Sequence, residues 1–160
     1  MRKFEKISFE QFKKDVSDDI KLYNTYELPK RSTKNSAGYD LCSLIKYDLL
    51  PGNTIVIPTG LKCIIPGDEM LLLAIRSSLG YKYNIKLTNG VGIIDADYYN
   101  NEDNEGHFSV KLHNQGDKNL EINIGDRVAQ GIFIKYYTIT EEEEIFKERK
   151  GGFGSTNKGE

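Results

Sequence analysis

The stretch RKGGFGST near the C-terminus concentrates groups that a phosphate would use. Gly151, Gly152 and Gly154 leave the backbone free to turn its N–H groups into an anion-binding nest. Ser155 and Thr156 add hydroxyl donors, and Arg149 and Lys150 add positive charge. Phe153, set among glycines, is ill-suited to a strand core and well suited to stacking on a planar ligand. The G-x-x-x-x-G-K-[ST] pattern is absent, so this is not a Walker A loop. Composition also allows a plainer alternative, a solvated flexible tail. A second group is IRSSLG at 75–80. Its Arg76 fork and the hydroxyls of Ser77 and Ser78 suit phosphate oxygens; the alternative is a surface arginine beside turn serines.

A third group is NGVGIIDADYY at 89–99. Asp95 and Asp97 share a face in a strand or cap a turn. A carboxylate held against Ile93, Ile94 and Tyr98 would take a proton more readily and serve as a general base. Two aspartates ending a hairpin would look the same. Asn89 is either the turn residue of Asn-Gly or an amide that reads a ligand's donor and acceptor edge. In GDRVAQ at 125–130, Arg127 and Gln130 are polar within a strand-like run, and so face water, a partner or a ligand. His107 and His113 fall on the polar face of an alternating strand, either satisfied or exposed. With two histidines and two cysteines in the chain, no zinc site is expected. The EEEE run at 141–144 reads as a solvated face.

These groups need a scaffold, and composition bounds it. The 160 residues carry 22 Lys+Arg against 24 Asp+Glu, a net charge of −2. A binder of duplex nucleic acid or anionic membrane would carry a basic excess. The longest apolar run, Met70 to Ile75, is six residues, far below the roughly 20 that a spanning helix needs. MRKFEKISFEQF contains no apolar signal core, and Cys42 and Cys63 read as free thiols, so a cytoplasmic protein is expected. Ser8 and Gln11 form a capping box that predicts a helix over 7–17. Short strands follow at 54–58, 61–65, 70–75, 107–113 and 119–124. Phe108, Val110 and Leu112 share one face, as do Leu120, Ile122 and Ile124. Asn89-Gly90 predicts a hairpin. Turns recur with no second amphipathic helix, which predicts an all-β barrel or double-sheet sandwich. We read one domain over 1–160, with an N-terminal helical extension (1–19), an exposed acidic loop (99–106) and a mobile glycine-rich tail (147–160).

In order, AGYDL (37–41), RSSLG (76–80), GVGIIDADY (90–98), GDRVAQ (125–130) and GGFGST (151–156) resemble the five motifs of the trimeric deoxyuridine triphosphatase (dUTPase) family. The resemblance implies a jelly-roll-like distorted barrel and a homotrimer with shared active sites. It also implies Mg²⁺-dependent hydrolysis of dUTP to dUMP and pyrophosphate, by water attack at the α-phosphorus. That reaction limits dUTP and supplies dUMP for dTMP synthesis. By position, Asp95 matches the aspartate that activates water. Asn89 matches the uracil reader, with backbone around Gly92, Ile93 and Ile94 closing the pocket, and Tyr98 matches the ring beneath the deoxyribose. Arg76, Ser77, Ser78 and Gln130 match phosphate contacts, and Asp40 matches an aspartate holding a water of the Mg²⁺ shell. Phe153 matches the aromatic that covers uracil, while Arg149, Ser155 and Thr156 would reach the outer phosphates.

The chain departs from the common motifs in places. Ile75 and Ser78 stand where Pro and Gly are usual, Arg149 lies one residue nearer the glycines, and Asn157 replaces a glycine. Residues 100–104 look like an insertion, which with the N-terminal helix suggests the branch of Gram-positive bacteria and their phages. Two other readings are a dCTP deaminase of the same fold and a β module that binds a regulatory protein through 99–106. The deaminase family lacks the GGFGST tail.

Overall fold

The computed structural model describes residues 1–142, 145 and 149–152. Half of the capping box forms: Ser8 caps the helix, but its own N–H donates to Glu105 and the Gln11 amide donates to Asp15 instead of closing the box. The Ser8 hydroxyl accepts the Gln11 N–H at 3.1 Å and opens helix α1, Phe9–Asp15, shorter than the expected 7–17. Lys3–Lys6 forms strand β1 ahead of it, and Asp19 caps a further short helix, α2, Ile20–Thr25. The later strands are β2 (Tyr39–Cys42), β3 (Tyr47–Leu49), β4 (Thr54–Ile64), β5 (Glu69–Ile75), β6 (Ile85–Leu87), β7 (Gly92–Ile94), β8 (Phe108–Asn114), β9 (Leu120–Ile122) and β10 (Arg127–Lys135). Helix α3, Ser77–Tyr83, lies between β5 and β6. The expectation of a single helix is thus corrected: α2 and α3 span too few turns to show an amphipathic period.

Every strand pair is antiparallel. The sheets run β1-β4-β8-β6, β2-β10-β5-β7 and β3-β9, so the expected all-β, jelly-roll-like distortion is present without a closed barrel. Leu41, Leu49, Ile57, Leu71, Ile85 and Leu112 are fully buried within the main core. Phe12 and Ile7 join Leu44 in a smaller core beneath α1. The runs 54–58 and 61–65 are one strand, β4. Pro58 cannot donate to the ladder, so the register slips between Pro58 and Leu61 while Gly60 turns to φ +70. Ile124 does not share the buried face of Leu120 and Ile122, because β9 ends at Ile122 and Ile124 stays exposed. Asn89-Gly90 turns, with Gly90 at φ +74, but makes no hairpin: β6 pairs β8 while β7 pairs β5.

His107, expected on a polar face, is buried and satisfied at the β4 bulge. The Gly60 N–H donates to its Nε2 at 2.9 Å, so the proton sits on Nδ1 and faces Asp15 Oδ2 at 2.6 Å. Burial pushes the imidazole below its ordinary value of 6.5, with the Asp15 bond working against that shift. The unfolded chain therefore binds this proton first, and stability contributed by neutral His107 is lost as pH falls below 6.5. Thermal melts at pH 7.5 and 5.5 should show a larger acid loss for the parent than for His107→Gln.

Candidate active site

The register of the β2-β10-β5 sheet brings the first, second and fourth motifs together. Gln130 pairs Asp40 on one side and Ala74 on the other, and Ala129 pairs Ile75, so Arg76 emerges beside both. Arg76 Nε lies 3.1 Å from Asp40 Oδ1, and Arg127 Nη1 lies 3.3 Å from Asp40 Oδ2. Ser32 donates its hydroxyl to the same carboxylate at 2.6 Å. Gln130 Nε2 donates to the Ile75 carbonyl at 3.3 Å. These groups open on a cavity of about 330 Å³ lined by Ser32, Ser36, Gly38, Asp40, Arg76, Ser77, Ser78 and Gln130. A Cβ on Gly38 would lie 2.2 Å from Gln130 Oε1, so the glycine makes room for that side chain. Ser77 and Ser78 lie in the first turn of α3, begun where the Leu79 and Gly80 N–H groups donate to the Arg76 carbonyl at 3.0 and 3.1 Å. The sequence motifs do not single out Ser32 and Ser36, which precede the first of them. Their signal was the run of small polar residues just before AGYDL.

The third motif builds a second group. Asp95 follows the last residue of β7 and is the N-cap of a 3-10 turn, Ala96–Tyr98. Its carboxylate is 52% exposed, so the expected burial against Ile93, Ile94 and Tyr98 does not occur; Ile93 itself is 55% exposed. The short turn aims Asp95 and Asp97 outward at one guanidinium instead. Arg149 Nη2 meets Asp95 Oδ2 at 2.8 Å, Arg149 Nε meets Asp97 Oδ1 at 2.9 Å, and its Cζ lies 5.7 Å from the Tyr98 ring centre. Arg149, expected at outer phosphates, is here the partner of the candidate base. Tyr98 is buried, and its hydroxyl donates to the His107 carbonyl at 3.2 Å while accepting from Asn104 Nδ2 at 3.0 Å. A Cβ on Gly92 would lie 3.0 Å from Leu73 Cβ, so packing on β5 accounts for that glycine. Asn89 is exposed in its turn. Phe153, Ser155 and Thr156 lie outside the described residues, as does most of the tail expected to act as a lid.

One chain does not bring the two groups together. Ile94 pairs Leu71, so Asp95 stands opposite Met70, six residues along β5 from Arg76. At about 3.3 Å per residue that is about 20 Å. Among the described residues, no three His, Cys, Asp or Glu side chains converge as a metal cage would require.

Loop 99–106, expected to be exposed, is built into the fold. Asn101 is buried and its Nδ2 donates to the Tyr98 carbonyl at 2.9 Å. Gly106 adopts φ +83, where a Cβ would come within 2.7 Å of the Tyr98 carbonyl oxygen. Glu105 accepts the Ser8 N–H at 3.0 Å and bonds the Ser8 hydroxyl. Burial alone would raise that carboxyl, but Ser8 and Lys62 outweigh it and hold it below the ordinary range.

Comparison with known proteins bears on both groups. Residues 24–157 match the family model described as dUTPase. The deoxyuridine 5'-triphosphate nucleotidohydrolase of Lactococcus lactis is 45% identical over 130 residues, 81% of this chain and 87% of that protein. The crystal structure of dUTPase from Streptococcus mutans superposes with a TM-score of 0.69 at 38% identity, covering 85% of this chain and 97% of that one. Both are Gram-positive relatives, as the inserted loop and N-terminal helix suggested. The dUTPase from phage phi11 of S. aureus shares the fold at TM-score 0.65 and 21% identity, over 92% of this chain and 97% of that one.

Proposed function

Since this chain belongs to the dUTPase family, we propose that it hydrolyses dUTP to dUMP and pyrophosphate, with the roles of its residues read from the two groups above. The convergence of Arg76, Ser77, Ser78 and Gln130 on one cavity carries the assignment. Those donors suit a polyphosphate, and no base edge or methyl pocket is needed there. Water attacks the α-phosphorus; Asp95 takes its proton as the new P–O bond forms and the bond to the bridging oxygen breaks. Arg76 and the serine hydroxyls offset charge on the departing pyrophosphate. Asn89 with backbone at Gly92 to Ile94 reads uracil, Tyr98 lies beneath the deoxyribose, and Phe153 covers the base. Arg149, Ser155 and Thr156 reach the outer phosphates, which requires Arg149 to leave Asp95 and Asp97.

Mg²⁺ fits this site as an ion that enters on the nucleotide. The carboxylate of Asp40 is already shared by two guanidinium groups, so it suits a water of the ion's shell better than the bare ion. When bound, the ion would draw charge off the phosphate oxygens. The separation along β5 supports a shared site, in which Asp95 of one copy acts on phosphates held by Arg76 of another, as in a homotrimer. Among the described residues no helix is long and apolar enough to cross a membrane. Cys42 and Cys63 are free thiols, which fits the cytoplasm and its nucleotide pools. The described residues give a regulatory protein partner at 99–106 no support.

With Mg²⁺, the protein should release pyrophosphate from dUTP and scarcely from UTP, dTTP or dCTP. Turnover of UTP or dTTP within tenfold of dUTP would reject the specificity, and ammonia release from dCTP would point to a deaminase.

A further inference from the structure

We propose that Asn104 is a positioning residue for Tyr98, holding in place the ring that tells deoxyribose from ribose. Asn104 Nδ2 donates one hydrogen bond to the Tyr98 hydroxyl and another to the His107 carbonyl, each at 3.0 Å. The Tyr98 hydroxyl donates to that same carbonyl at 3.2 Å, so the three groups close a ring of hydrogen bonds. Asn104 Oδ1 faces the other way, accepting from Asn101 Nδ2 at 2.9 Å and from the Gly106 N–H at 3.1 Å. Turning the amide over would set its oxygen against the His107 carbonyl and its NH2 against two donors, so its orientation is fixed. Both of its donors and both of its acceptor positions are used.

The inserted turn thus grips Tyr98 at both ends. At the backbone end the buried Asn101 donates to the Tyr98 carbonyl at 2.9 Å. Its Oδ1 accepts the N–H groups of Asp103 and Asn104 at 3.1 and 3.2 Å, which shapes the turn. The carbonyl that takes the hydroxyl is equally firm, because the His107 imidazole is held between Gly60 and Asp15. The Tyr98 hydroxyl spends its proton inside the protein, so the residue meets a sugar through the surface of its ring. Excluding a 2′-hydroxyl by shape works only where that surface cannot give way, since an apolar pocket rejects an added hydroxyl poorly. Pinning the far end of the side chain holds the ring in one rotamer. The insertion, which bond breaking at phosphorus does not require, acquires a purpose in sugar selection.

The inference rests on the dUTPase reading, which a parent protein releasing no pyrophosphate from dUTP would reject by itself. The brace is judged on sugar preference and, in the nucleotide-free protein, by NMR. The specificity constant kcat/KM would be measured with dUTP and with UTP for the parent, Asn104→Ala, Tyr98→Phe and the double variant. Each single change should lower the dUTP-to-UTP ratio about tenfold, chiefly by raising turnover of UTP. In Asn104→Ala, kcat for dUTP should stay within about threefold of the parent. The double variant should fall less than about twofold below either single one, because both changes cut the same contact. Asn104→Asp keeps the shape of asparagine but sets an oxygen against the His107 carbonyl, and it should behave as the alanine variant does. In protein labelled with carbon-13 at tyrosine Cζ, the Tyr98 resonance is identified by its loss in Tyr98→Phe. That resonance should move in Asn104→Ala while tyrosines remote from the turn keep theirs. Tyr98→Phe leaves all but one of the bonds of Asn101 and Asn104 in place, so it tests the contact even where the alanine variant does not fold. An unchanged ratio in Tyr98→Phe, fully additive effects, or a Tyr98 resonance indifferent to Asn104 would each overturn the brace.

Discussion

Asp95→Asn is expected to lower kcat for dUTP by at least about a thousandfold and to leave the affinity for α,β-imido-dUTP within about threefold of the parent. The amide keeps the shape of the carboxylate and can still accept a hydrogen bond, but it cannot take a proton from water. Because the Asp95 side chain is half exposed and makes no capping hydrogen bond to the 3-10 turn, whose bond to Asp95 uses the backbone carbonyl, the fold does not depend on the carboxylate. Arg149 retains Asp97 at 2.9 Å in the variant, so the tail keeps one of its two ionic partners. The measurement is single-turnover pyrophosphate release beside equilibrium binding of the analogue. Residual turnover within tenfold of the parent would falsify the base assignment. Loss of binding equal to the loss of rate would make Asp95 a substrate-positioning group instead.

How much of this was legible in the sequence depended on the range of the forces involved. The Ser8–Gln11 box and the alternation of Phe108, Val110 and Leu112 are local signals, and they placed α1 and β8 correctly. Motif order placed Asp40, Arg76 and Gln130 in one site, and the β2-β10-β5 register brings them there. What failed was everything decided by distant partners. Asn89-Gly90 looks like a hairpin because the turn chemistry is local, whereas the choice of β8 for β6 and β5 for β7 is made by long-range burial. YNNEDNEG looks solvated because it is polar. Its polar groups are satisfied by Ser8, Tyr98 and Gly152, at sequence distances no pattern reports. The Asp95 environment was misjudged similarly: flanking isoleucines suggested burial, but a turn of three residues sent the carboxylate to Arg149 instead.

Mixing two inactive chains should restore activity. Asp95→Asn lacks the base and Arg76→Gln lacks the phosphate fork, so each alone should be nearly inert. If Asp95 and Arg76 of one chain served the same nucleotide, every site in a mixed oligomer would still lack one of them. Their separation of about 20 Å along β5 argues otherwise, since six residues of extended strand cannot be shortened. A triphosphate whose α-phosphorus lies near Asp95 must then find its Arg76 on a neighbouring copy. In randomly assembled mixed oligomers, half of the sites receive an intact Asp95 and, independently, half receive an intact Arg76. An equimolar mixture, unfolded and refolded together, should therefore recover about a quarter of parent activity. Simply combining the two folded proteins should recover much less until subunits exchange. No gain on co-refolding, or a monomer by light scattering, would show that one chain closes on its substrate alone. The β5 register would then have to break on binding, which predicts loss of amide protection at Leu71 to Leu73 when the analogue is added.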